Sequence, residues 1–199
     1  RRSTPGVFRC WGARPARRRA VQLLATAGDR SRQSVEERLR ELVRREFLAS
    51  VTPSSVQGEP EFKFRHDLVR DVAYEQIPRL RRAEIHRRTA EWLDSLSPDR
   101  AKDRAEMLAL HHVSAYEYAR ASNAATEELV DGARRSLRNA GDRALTLNAF
   151  ATAERHYRDA LELWPEQDPE RAMLLFNLGK ACYYSNTEDA DLFVEAERL

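Results

Sequence analysis

The sequence predicts a mainly α-helical chain carrying one short β-hairpin. Three observations lead there. Ala, Leu, Glu and Arg dominate the 199 residues, against only 7 Gly and 8 Pro, and the abundant types are strong helix formers. The stretch Glu61–Ile77 opens on alternating residues and then switches to a helical period. From residue 101 onward, small and apolar residues recur at three- and four-residue steps, the stripe of helices that bury one face.

Residues 1–33 stand apart. They hold nine arginines against one acid, Asp29, a local charge of +8, which leaves −6 for the rest when taken from the total of +2. Three readings are open: a basic arm for nucleic acid or anionic lipid, a poorly defined chain end, or an out-of-frame translation of a GC-rich gene. The chain begins at Arg1 and stops at Leu199 inside a helical pattern. The expectation is a fragment of a longer protein.

Order begins at Ser34. With Glu37 three residues on it forms a capping box, in which hydroxyl and carboxylate each satisfy an orphan N–H. Val35, Leu39, Leu42, Val43 and Phe47 follow at helical spacing, predicting a helix to about Leu48. Val51–Pro60 holds two further prolines, Pro53 and Pro60, and Gly58, which is turn material. Flanked by β-capable pieces at 49–51 and 62–65, it reads as the wing of a winged helix. Phe62 and Phe64 alternate with Glu61, Lys63 and Arg65, the period of a half-buried strand. At His66 the period becomes helical, with Leu68, Val69, Val72, Ala73 and Ile77 on one face. His66 and Asp67 sit at that junction, with Asp67 placed to cap the new helix.

After Pro78 a helix is expected from Arg79 to about Leu96. Its arginines invite a DNA-recognition reading, but Glu84, Glu91 and Asp94 are interspersed, and Ala83, His86, Ala90 and Leu93 form a face for burial. A solvated amphipathic helix is the better account. In the next helix, over 101–120, the adjacent His111 and His112 point in different directions and cannot chelate one metal at i,i+4 spacing. Residues 125–147 carry a narrow seam: Leu129, Ala133, Leu137, Ala140, Ala144 and Leu147.

Gly141, Ala153, Tyr157, Ala160 and Pro165 occupy positions 8, 20, 24, 27 and 32 of a 34-residue frame. That is the tetratricopeptide frame, with small residues where two antiparallel helices touch and Pro ending the second. Leu178-Gly179 opens a second copy with Asn186 at its turn, after a short insertion around Pro165–Pro169. The expected organisation is a basic segment (1–33), a winged-helix-like domain with a trailing helix (34–96), a helical connector (97–124) and truncated tetratricopeptide-like repeats (125–199).

Phe64-Arg65-His66-Asp67-Leu68-Val69-Arg70-Asp71-Val72-Ala73-Tyr74, followed by Arg- and Ala-rich helices and then these repeats, resembles the C-terminal region of bacterial STAND-type signal-transducing ATPases. Members include proteins fused to adenylate/guanylate cyclase domains and ATP-dependent transcriptional regulators. The resemblance implies an upstream nucleotide-binding domain in cis, ATP or ADP as the parent's cofactor, and a repeat array that senses a protein or small-molecule inducer. The His-Asp pair is also similar to the Met-His-Asp motif of plant immune receptors, with Arg65 in place of Met. That likeness gives His66 the role of a sensor for the ADP β-phosphate and leaves Asp67 to cap and orient.

The remaining expectations are absences. The sequence has no GxxxxGK[ST] loop, no nucleophile with a base and no cyclase carboxylate pair, so the segment itself is read as non-catalytic, with no cofactor of its own. Cys10 and Cys182 are too far apart in sequence and too isolated to give a disulfide framework or a zinc site. No apolar run approaches the ~18–20 residues of a membrane span, and a cytoplasmic setting is expected, with nucleic acid an improbable partner. Two alternatives stay open, a DNA-binding winged-helix regulator with repeat-mediated oligomerisation and a plain repeat scaffold.

Overall fold

The computed structural model describes residues 32–52, 61–95 and 104–186. These form seven helices and one two-stranded antiparallel hairpin. The chain divides after Pro78 into two compact units. Residues 1–31, most of the expected wing and the end of the second repeat lie outside the described residues. Among the described residues, no helix is long and apolar enough to cross a membrane.

The first unit is α1 (Arg32–Arg44), β1 (Leu48–Val51), β2 (Glu61–Phe64) and α2 (Asp67–Glu75). Helix α1 starts two residues before Ser34, and the expected Ser34 capping bond lies outside the described side chains. It stops at Arg44, short of the expected Leu48, because Glu46 takes a left-handed conformation with φ 63°. Glu46 N–H then donates to Val43 O and Phe47 N–H to Leu42 O, the paired bonds of a Schellman ending. This turns the chain into β1, where Leu48 pairs with Phe64 and Ser50 with Phe62. Val35, Leu39 and Leu48 are buried, with Val43, Phe62 and Phe64 packed against them. Leu42 and Phe47, expected in that core, are exposed; Phe47 follows the turn at Glu46, which takes it off the helix face. Glu61, expected on the solvent side of β2, is instead buried.

The second unit is α3 (Arg79–Ser95), α4 (Ala105–Arg120), α5 (Glu127–Thr146), α6 (Phe150–Leu163) and α7 (Glu170–Ser185). Each helix packs on the next, as stacked helix pairs. The expected trailing helix, α3, and the connector helix, α4, pair with one another here. Asparagine ends three of the five: Asn123, Asn148 and Asn186 all have positive φ. Asn tolerates that conformation better than other side-chain-bearing residues because its short amide can bond locally. At Asn148, Ala149 N–H reaches back to Ala144 O, which tightens the α5–α6 turn and puts Leu147 outside, 59% exposed, instead of in the seam.

The core of this unit is made by small residues. Ala109, Ala140, Ala144, Ala153, Ala160 and Ala181 surround Tyr157, Trp164, Leu174 and Leu178. Alanine at the seam lets helix axes come close, and the large side chains fill what remains. Helix α6 ends where the sequence requires: Pro165 disfavours helical backbone at the residue before it, and Trp164 is extended with ψ 131°.

Candidate functional site

Three places gather polar side chains. The first is the strand-to-helix corner. His66 is the N-cap of α2, with extended backbone (φ −121°, ψ 125°) and no capping bond from its side chain. Asp67 is the first helical residue, not the cap expected from sequence. The backbone break falls one residue earlier, and the Asp67 carboxylate turns to Arg70 at 3.2 Å. Arg70 also binds Asp71 at 2.6 Å. His66 and Asp67 are both exposed. Helix α2 buries no residue, and the apolar Leu68 on it is 74% exposed, although its period marked a face for packing.

The second place is a groove of about 560 Å³ between α3, α4 and α5. Helix α5 supplies one wall through Arg135, Asn139, Asp142, Arg143 and Thr146, at steps of three and four. Asp94 of α3 and Leu108 and His112 of α4 face them. Several of these groups are held from behind. Asp142 accepts a 2.7 Å bond from the Tyr157 hydroxyl, Arg138 pairs with Glu170 of α7 at 2.7 Å, and Ser136 Oγ donates to the carbonyls of Gly132 and Ala133. His112 Nε2 stands 3.4 Å from Asp94. Arg135 and Asn139 lie exposed on the groove wall. The arrangement offers fixed charge and hydrogen-bonding groups to a ligand, which is the equipment of a binding surface.

The third is the α3–α4 seam, where His86 Nδ1 and His111 Nδ1 are 2.9 Å apart. His86 is buried, and burial, with the Arg82 charge adding to it, pushes its imidazole down to about 4. The adjacent histidines of α4 thus face different neighbours, His111 the buried His86 and His112 the groove. Among the described residues, no group of three or more His, Cys, Asp or Glu is placed to hold a metal ion.

The repeat-frame residues fall together. Gly141, Ala153, Tyr157, Ala160 and Gly179 are buried between α5, α6 and α7, and Pro165 is exposed just beyond α6. Gly141 and Tyr157 touch most closely: a Cβ at 141 would lie 2.6 Å from Tyr157 Cε1. Two arginines of α3, Arg87 and Arg88, are engaged along their own helix. Arg87 pairs with Glu84 and Glu91, and Arg88 with Glu84. Arg87 and Arg88 hold the Glu84 carboxyl below the usual carboxylate range.

The Ala seam of α5 is evident from its spacing, and the groove uses the opposite face of that helix. The signal was present there: Arg135, Asn139 and Arg143 recur at four-residue steps, one polar stripe on one helix. Comparison with protein-family models, curated proteins and solved structures gave no match.

Proposed function

We propose that this segment is a non-catalytic regulatory module of a STAND-type signal-transducing ATPase. The observation that carries the reading is the groove between α3, α4 and α5, where Arg135, Asn139 and Arg143 face Asp94 and His112 across a space large enough for a peptide or a small molecule. The stacked helices act as the sensor, a tetratricopeptide-like array whose groove takes a protein or small-molecule inducer. The hairpin and α2 act as a winged-helix switch in cis to a nucleotide-binding domain, with ATP or ADP as the parent's cofactor.

His66 fits the switch because it is exposed at the strand-to-helix corner. An imidazole N–H there can donate to a phosphate oxygen, and loss of that bond on nucleotide exchange frees the switch. Inducer binding shifts the population toward the freed state by its differential affinity for the two states. The test is ADP release from the parent protein. His66→Ala accelerates release if the sensor reading holds, and an unchanged rate overturns it.

The DNA-binding alternative draws little support from α3, since Arg87 and Arg88 are in ion pairs along their own helix. A fluorescent duplex titrated with the chain at low salt separates the two, because several phosphate contacts give a steep salt dependence.

A further inference from the structure

Helix α7 carries two apolar faces and buries one. Leu174, Leu178 and Ala181 lie in the core of the second unit, the stripe that a packed helix must bury. On the other side Met173, Phe176 and Tyr183 are 62%, 55% and 76% exposed. With Lys180 they follow at steps of three, four and three, which keeps them on one line along the helix. Lys180 is exposed and has no hydrogen-bond or ion-pair partner among the described residues. Tyr183 meets Tyr184 edge-on with centroids 5.3 Å apart, and Tyr184 stacks on Phe150 of α6 at 4.8 Å. The aromatic end of the line is thus held in place, so less ordering is needed when something binds it. A contiguous apolar patch open to water marks a surface that another molecule covers.

This line joins the groove between α3, α4 and α5. Arg138, on the groove wall, pairs with Glu170 of α7 at 2.7 Å, and Met173 stands one turn on from Glu170. Arg135, one turn before Arg138, is exposed on the same wall and likewise has no partner among the described residues. One surface therefore runs from an unpaired guanidinium, past an ion pair, to an apolar line with an unpaired ammonium in it.

We propose that this surface seats a protein segment that is both acidic and apolar. Its large apolar side chains lie against Met173, Phe176 and Tyr183, and its carboxylates meet Lys180 and Arg135. The proposal rests on the reading of the stacked helices as a sensor, and it narrows the inducer from a protein or a small molecule to a protein.

Charge and size choose the occupant. The unpaired groups are both cations, so their complement is an anion, and three large apolar neighbours suit a peptide better than a phosphate backbone. Met173 to Tyr183 spans about 15 Å at the helical rise, the reach of roughly five extended residues before the groove is counted. A second copy meeting this face about a two-fold axis would bring its own Lys180 toward the first.

Selection from a phage-displayed library of random peptides, about twelve residues long, with the whole chain as bait, tests the proposal. The selected peptides are expected to be richer in Asp and Glu than the starting library and to carry Leu, Phe or Trp beside them. A fluorescent copy of the leading peptide should bind about tenfold more weakly to Lys180→Glu and to Phe176→Ala, and equally well to Lys180→Arg. Both side chains are exposed, so helix content by circular dichroism stays the same. Peptides without acidic enrichment, unchanged affinity in either variant, or no enrichment at all overturns the proposal. Sedimentation that finds a dimer, made monomeric by Phe176→Ala, assigns the face to a second copy and also overturns it. None of these results bears on ADP release from His66→Ala, which tests the switch without any inducer.

Discussion

The Tyr157 ring lies directly on the bare Cα of Gly141, so close that a methyl group there would stand 2.6 to 2.9 Å from three ring atoms. Tyr157 cannot retreat easily. It is fully buried, and its hydroxyl is fixed by Asp142 at 2.7 Å. Gly141→Ala gains helix propensity of roughly 1 kcal/mol and meets an overpacking cost of roughly 1–3 kcal/mol or more. The net expectation is a destabilisation of up to about 2 kcal/mol by chemical denaturation. Gly132→Ala is the control. Its Cβ would meet His112 Nδ1 at 2.7 Å, but that side chain borders the groove and can turn away, so the change is near neutral.

The Tyr157–Asp142 bond makes a separate prediction. Burial, reinforced by the Asp142 carboxylate, pushes the phenol well above its usual range, so it stays a donor. Tyr157→Phe removes one hydrogen bond to an ionised group and leaves Asp142 open to water. A loss of about 1 kcal/mol is expected, with helix content unchanged by circular dichroism.

Glu46 occupies the left-handed position that closes α1, at φ 63°. A side-chain-bearing residue there costs roughly 1 kcal/mol relative to glycine. Its ion pair with Arg65, at 3.6 Å between exposed groups, returns little. Glu46→Gly therefore raises the stability of the first unit by about 0.5–1 kcal/mol, measured by denaturation.

Acid sensitivity has a source in His156, on α6. Both ring nitrogens are buried without a hydrogen-bond partner, and burial, with Arg155 nearby, lowers the imidazole to about 4. The unfolded chain takes up a proton near 6.5 that the folded chain refuses. This contribution is complete above pH 6.5 and is lost as pH falls toward 4. Burial holds the Glu117 and Asp159 carboxyls above their usual range and works in the opposite sense. His156→Leu is expected to be about 1 kcal/mol more stable at pH 7, since it removes unsatisfied polar atoms, and to lose less stability between pH 6.5 and 5. Denaturation at both pH values checks it.

The helices and the hairpin were legible where local chemistry decides them. Pro165 stops α6 by what it imposes on Trp164, and the spacing of Ala153, Tyr157 and Ala160 marks one buried face because a helix repeats every 3.6 residues. Phe62 and Phe64 revealed β2 by alternation. Positions set by a turn or by distant neighbours were not legible. Leu147 and Phe47 follow the apolar period and still point outward, because Asn148 and Glu46 turn the chain just there. Asp67 looked like a cap because capping is written in residue type, whereas the cap itself depends on where the backbone changes direction. The His86–His111 contact joins residues 25 positions apart, and no periodicity within either helix announces it. His66 was legible as a junction residue, and its exposure required the structure.

The rate of ADP release from the parent protein tests the central claim most directly. A phosphate-bonded His66 contributes roughly 1.5–3 kcal/mol as a hydrogen bond to a charged group. His66→Ala should then release ADP about ten- to a hundredfold faster than the unaltered protein, with the fold intact by circular dichroism. Equal release rates in the two proteins would contradict the assignment of this corner as the nucleotide-sensing switch.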